Sequence, residues 1–172
     1  ELYTDLSERF HFLLESFSPG HQWYSVDEGF CQISPRISSD MEALTALGRN
    51  MKDTIRKLIG VPVCVGIGRT RTEAKLANRT AKKIKVFDGV CVWPATRPEW
   101  RQQLMSRLPV SEVWGIASRL ERRLGAIGIT TIADLAAADP VEIRKAFNVV
   151  VMRIALELRG VAYIPAEDDR TG

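Results

Sequence analysis

Residues that build metal centres and disulfide frameworks are scarce in this chain, which holds three cysteines and two histidines among 172 residues. Cys31, Cys64 and Cys91 are an odd set with no C-x-x-C spacing, and each falls in a run of strand type. They read as small buried residues in a reducing compartment, not as a zinc site or a set of staples. His11 and His21 have no partner at metal-ligand spacing, so a surface or capping role is expected of both. No apolar run approaches the ~20 residues that a membrane-spanning helix needs. The opening ELYTDLSERF lacks the basic-then-apolar order of a secretory leader. A soluble, cytoplasmic protein with no membrane partner is expected. Repeats and low-complexity segments are also missing. With 45% hydrophobic and 26% charged residues, wholesale disorder is excluded.

The net charge of +3 hides a strong internal asymmetry. Residues 1–48 carry 2 basic and 8 acidic side chains, residues 49–85 carry 11 and 2, and residues 86–172 carry 11 of each. A basic block inside a packed domain is a candidate polyanion surface, although a solvated helix face is the commoner explanation.

Leu2, Leu6, Phe10, Leu13, Leu14 and Phe17 recur at helical spacing, and Ser18-Pro19-Gly20 stops that element. With no cap before it, the helix makes the sequence look cut from something longer. Trp23–Val26 and Gly29–Ile33 are β-type runs on either side of Asp27-Glu28, which predicts a hairpin or kinked strand with two carboxylates at its bend. Ser39-Asp40-Met41-Glu42 reads as a capping box opening a helix that Gly60 ends. Val61–Ile67 reads as a buried strand, followed by a helix over about 72–83 with Ala74, Ala77 and Ala81 on one face and Lys75, Arg79, Lys82 and Lys83 on another. Asp88-Gly89 turns the chain into a strand over Val90–Trp93.

Beyond Pro94 the texture becomes helical, with a helix over Glu99–Leu108 and breaks at Gly115, Gly125, Gly128 and Asp139-Pro140. The expected architecture is α+β: a mixed or antiparallel sheet with helices on one face over residues 1–96, a connecting helix over 97–109, a small all-α domain over 110–162 and an acidic linker over 163–172.

Neighbouring carboxylates on a regular strand face opposite ways, so Asp27 and Glu28 share a site only where the chain bends, which Gly29 makes easy. Two converging carboxylates call for a divalent cation, and oxygen ligation beside phosphates is the chemistry of Mg²⁺. An Asp-Glu pair alone more often marks a surface turn. The basic helix strengthens the site reading, because Arg69, Arg71, Lys75, Arg79 and Lys82 can aim cations at a phosphorylated ligand. No G-x-x-x-x-G-K-S/T string occurs, so this is not a P-loop. Further on, Leu108–Ala117 followed by Leu120, Leu124 and Gly128-Ile129 has the form of a helix-hairpin-helix, whose backbone N–H groups turn toward a nucleic-acid phosphate. Arg119, Arg122 and Arg123 lie close by.

Four strings in this order, Tyr24-Ser25-Val26-Asp27-Glu28-Gly29-Phe30, Val63–Gly68, Ala74-Lys75-Leu76-Ala77-Asn78 and Val113-Trp114-Gly115-Ile116, resemble the Y-family translesion DNA polymerases. Phe147-Asn148-Val149-Val150 and Glu157-Leu158-Arg159-Gly160 are most similar to the bacterial UmuC branch, the catalytic subunit of DNA polymerase V. The resemblance implies a partial polymerase palm and a helix-hairpin-helix thumb from an error-prone DNA-directed DNA polymerase of the SOS response. It implies Asp27 and Glu28 as catalytic metal-binding carboxylates for two Mg²⁺ ions, with Lys82, or Lys83 beside it, facing the incoming triphosphate. Gly115, Ile116 and Ala117 would hold duplex DNA by their backbone. The implied partners are primer/template DNA, dNTP, the processed UmuD subunit, RecA and the sliding clamp. The family's first palm strand with another metal-binding aspartate, its fingers and its little finger do not fit in the chain, so an inactive fragment is expected. Departures from the family pattern are Gly29 in place of Ala, Arg69 and Arg71 in place of Pro and Lys, and Ala117 in place of Gly. The alternative is a non-enzymatic helix-hairpin-helix DNA-binding module. A nucleotide cyclase is a third reading, and it leaves residues 110–160 without a purpose.

Overall fold

The computed structural model describes residues 2–17, 22–23 and 28–162. The chain divides into two compact units, one formed by Glu1–Ile67 and Asn78–Val92, the other by Gly68–Ala77 and Trp93–Gly172. The sequence alone suggests a change at 97–109; the observed division falls at Val92 and groups the first half of the basic helix with the second unit.

The first unit opens with α1 (Leu2–Phe17), as its apolar spacing predicts. His11 is fully buried on this helix, edge-on to the Phe10 ring at 5.2 Å, which corrects the expected surface role. His21 lies outside the described residues. A two-residue pair, β1 (Gln22–Trp23) and β2 (Gly29–Phe30), follows as an antiparallel hairpin with Trp23 opposite Gly29. Helix α2 (Met41–Ile59) then packs against α1. Its cap is Asp40, whose carboxylate accepts from the Ala43 N–H at 3.1 Å, one residue later than the Ser39–Glu42 box anticipates. An Asx cap needs only its own short side chain, so no partner glutamate three residues on is required. Gly60 ends the helix in the left-handed region, as its position suggests.

The strand expected over Val61–Ile67 is confined to β3 (Val65–Ile67), because ladder bonding starts only where the Val65 N–H reaches the Gly89 carbonyl at 2.9 Å. Pro62, in the segment just before β3, has no N–H to give to a ladder. β3 pairs in parallel with β4 (Val90–Val92), and α3 (Arg71–Lys83) makes the crossover between them. The expected α+β class holds, and among the described residues its strands form two separate two-stranded sheets, one antiparallel and one parallel. Leu44, Val65, Ile67, Val90 and Val92 form the core here, with Ile33, Ile37, Met41 and Met51 packed around it. The turn before β4 is held by α2: Arg49 donates to the Asp88 and Phe87 carbonyls at 2.7 and 3.0 Å, and Lys52 to the Asp88 carbonyl at 2.9 Å. Two cations of the basic block thus serve the fold. Cys91 is buried, whereas Cys31 and Cys64 are half-buried; none of the three is in a disulfide. Burial pushes the Cys31 thiol up to about 11.

The second unit contains α4 (Pro98–Arg107), α5 (Ser118–Gly125), α6 (Ile132–Ala137), α7 (Pro140–Ala146) and α8 (Val149–Glu157). Pro98 and Pro140 occupy first-turn positions, where the missing N–H is not needed. Asp139 caps α7 through the Val141 N–H at 2.8 Å. Thr131 and Asp134 form a reciprocal capping box on α6. Backbone N–H groups of Thr131 and Thr130 hold the Asp134 carboxyl below its usual range. Val110, Ile116, Leu124, Ile132, Leu135, Ile143 and Ile154 make up much of the buried interior. Among the described residues, no helix is long and apolar enough to cross a membrane.

At Gly48, α2 lies close against the parallel pair. A Cβ there would stand 2.6 Å from Val90 Cγ1. Glycine-to-alanine changes inside helices ordinarily stabilise by about 1 kcal/mol. Gly48→Ala is instead expected to destabilise by about 1–3 kcal/mol through overpacking, read as a lower denaturation midpoint with unchanged slope.

Candidate nucleic-acid interface

Three groups of residues bear the chemistry that the sequence suggests. Within the first unit, Glu28 immediately precedes β2 and is exposed. Asp27 lies outside the described residues. The hairpin does not share hydrogen bonds with the β3–β4 pair that leads into the basic helix, again among the described residues, so the expected common sheet is not what relates them. Nor does any group of three or more His, Cys, Asp or Glu among the described residues stand close enough to hold a metal ion. Glu28 has the hard oxygen donors that Mg²⁺ prefers, but the described donors do not complete a Mg²⁺ site.

On α3 the cations take different roles along the helix. Lys82 and Lys83 are both exposed in its last turn, so either can meet a polyanion. Lys75, in the second unit, places its ammonium 6.0 Å from the centre of the Trp114 ring. Arg69, expected with Arg71 to point at a phosphorylated ligand, is engaged differently. It forms an ion pair at 2.6 Å with Glu73, the one acidic residue of α3, which is fully buried. Hydrogen bonding to that carboxylate raises the guanidinium's proton affinity above its ordinary value, with burial opposing the shift. Reading the helix for cations alone missed Glu73, although its position four residues after Arg69 is an i,i+4 ion-pair spacing visible in the sequence.

The hairpin of the second unit is built as follows. The helix expected before it is a single 3₁₀ turn, Val110–Glu112, with extended backbone at Pro109 and Val113 on either side. Two such extended residues leave room for one turn only. Val113 and Ile116 are buried and fix the loop from below, while Gly115 is exposed with φ of 97°, a conformation that favours glycine. Ala117 adopts φ of −87° and ψ of 173°, extended backbone suited to alanine, and serves as the N-cap of α5. The expected second glycine is therefore not required by the geometry. Ala117 contributes no side-chain cap, so the first N–H groups of α5 retain their outward polarity.

Arg119 and Arg122 are exposed on α5. Arg123 has structural duties. Its guanidinium lies 4.8 Å from the centre of the Phe147 ring and donates to the Ala146 carbonyl at 3.4 Å, at the end of α7. Below the hairpin lies a half-open cavity of about 360 Å³, lined by Arg71, Thr72, Trp114, Gly115, Arg153 and Glu157 among others. Glu157 pairs with Arg153 at 3.4 Å, yet burial raises its carboxyl above the ordinary range, with Arg153 opposing that shift.

Residues 1–79 match the impB/mucB/samB family. The chain is 38% identical over 169 residues to protein UmuC of Salmonella typhimurium, covering 98% of this chain and 39% of that protein. It is 39% identical over 175 residues to protein MucB of Escherichia coli, again covering 98% and 39%. DNA polymerase IV of Methanosarcina acetivorans is 31% identical over 154 residues, covering 86% of this chain and 40% of that enzyme. The chain thus spans about two fifths of the length of the curated relatives it matches. Among solved structures, the insertion ternary complex of Dbh DNA polymerase superposes with a TM-score of 0.73 at 24% identity, covering 96% of this chain and 46% of that one. DinB from Sulfolobus solfataricus gives 0.70 at 24% identity, with 95% and 46% covered. These last two likenesses concern the fold.

Asp27 and Glu28 together can offer Mg²⁺ two carboxylates, leaving most of an octahedral shell to water. Calorimetric titration of the chain with MgCl₂ is expected to give a dissociation constant on the order of millimolar or weaker. Tight stoichiometric binding would show that further ligands complete the site.

Proposed function

We infer that this chain, a homologue of the impB/mucB/samB proteins, is the palm and thumb portion of an error-prone translesion DNA polymerase. The observation that carries the reading is 38–39% identity to UmuC and MucB running through 98% of the chain, and so through both compact units. A non-enzymatic binding module would not need the carboxylate hairpin and basic helix of the first unit as well as the hairpin of the second.

In the whole protein the reaction is nucleotidyl transfer: the primer 3′-hydroxyl attacks the α-phosphate of a dNTP and pyrophosphate leaves. Bound Mg²⁺ would supply charge neutralisation for that step, with Asp27 and Glu28 as this chain's ligands. Lys82, with Lys83 beside it, offsets triphosphate charge. Gly115 and Ala117 present backbone N–H groups to a DNA phosphate, which positions duplex without reading its sequence, whereas the Ile116 N–H, expected to join them, is given to the Val113 carbonyl at 3.0 Å. The setting would be SOS damage tolerance in the cytoplasm, with the processed UmuD subunit, RecA and the sliding clamp as partners. The chain by itself does not polymerise in this account.

Non-specific duplex binding should nevertheless be measurable. Fluorescence anisotropy with labelled duplex is expected to give an affinity on the order of 10⁻⁴ to 10⁻⁶ M that falls as salt is added. Replacing Arg119 and Arg122 by Ala should weaken binding to all duplexes alike and flatten the salt slope, whereas Arg123→Ala should also cost stability because it frees Phe147 and the end of α7. Binding that ignores salt, or none at low salt, would reduce these arginines to a solvated helix face.

A further inference from the structure

The buried ion pair at the start of the basic helix belongs to a larger tie. Arg69 donates through both its backbone N–H and its Nε to Glu73 Oε2, at 2.9 and 3.2 Å, and through Nη2 to Oε1 at 2.6 Å. Glu73 is fully buried, so its charge is balanced inside the protein and not by water. Between these two residues, Thr70 accepts from the Glu73 N–H at 3.1 Å and donates its hydroxyl to the Glu157 carbonyl at 2.8 Å. That carbonyl, at the last residue of α8, also accepts from the Gly160 N–H at 3.0 Å, so Thr70 is bonded to the same turn that carries Gly160. The Arg69 guanidinium also occupies the space beside Gly160: a Cβ on that residue would fall 2.2 Å from Arg69 Cζ. Gly160 has φ of 80°, so the end of α8 both turns and makes room for the arginine there.

We propose that Arg69 is a positioning residue: acting through Glu73 and against Gly160, it fastens the Gly68–Thr70 loop, and with it the first turns of the basic helix, to the C-terminal end of α8. The geometry makes the tie asymmetric. Glu73 is buried and Arg69 is half exposed, so loss of the arginine side chain leaves a buried carboxylate with the backbone N–H of residue 69 but no counter-charge, whereas loss of the glutamate leaves a solvated cation. What is held in place is the turn carrying Lys75, whose use on DNA or nucleotide rests on the function proposed above; the tie itself does not.

Amide hydrogen exchange on the full chain tests it. Arg69→Ala should raise exchange by ~10²-fold or more at the amides of 69–74 and of 158–161 together, leaving α2 and α5 unchanged. Arg69→Ala/Glu73→Leu should return both segments to near their original rates, because it removes the orphaned charge. Gly160→Ala should open 69–74 from a distance, by displacing the guanidinium. Arg69→Lys, which keeps charge but not the fork, should fall between wild type and Arg69→Ala. The proposal is overturned if Arg69→Ala affects only its own loop, if it loosens the whole unit evenly, or if the double variant is no better than the single. Should Arg69→Ala fail to fold, Gly160→Ala and Arg69→Lys still decide, since neither deletes the buried pair's cation. Duplex affinity measured alongside separates this from the function: unchanged exchange with intact DNA binding refutes the tie alone, and the expected exchange pattern without any DNA binding refutes the function alone.

Discussion

Parallel pairing of Val65–Ile67 with Val90–Val92 is the constraint around which the molecule is organised. Parallel neighbours cannot be joined by a tight turn; they require a crossover of roughly a dozen residues or more. Here the crossover is α3, 13 residues long, and the basic helix must therefore start where β3 ends. Buried Leu76, Ala77 and Ala81 occupy its inner side, which leaves the lysines of its last turn to solvent. Against the pair, α2 approaches closely at Gly48 and reaches past it with Arg49 and Lys52 to hold the turn that enters β4. The basic block of the sequence is thus divided between groups that complete the fold and groups left in solvent.

Much of this was legible in the sequence where the signal is local. Apolar spacing located α1, Gly60 located the end of α2, and Asp139-Pro140 located the start of α7, because caps and helix periodicity act within a few residues. Pairings between distant segments carry no such mark. The separation of the hairpin from β3–β4 and the shortness of β3 depend on which backbone groups meet across the fold. The burial of His11 and the stacking of Arg123 on Phe147 likewise follow from packing between residues that no spacing rule connects.

The candidate site was half legible in the same sense. Residue types announced the carboxylate pair, the basic helix and the glycine hairpin, and the stretch shared with UmuC and MucB covers 98% of the chain. Roles within each group needed coordinates. Arg69 turned from a ligand-facing cation into the partner of a buried glutamate, and Ala117 proved to sit in ordinary extended backbone where a second glycine is not needed.

The central claim is that the second unit's hairpin offers its backbone to DNA. Its most direct test is the amide-resolved NMR spectrum of the chain titrated with a short duplex of arbitrary sequence. The account predicts salt-sensitive shifts concentrated at Gly115–Leu120, the same for unrelated duplexes. Shifts that avoid this segment, or that change with duplex sequence, would contradict it.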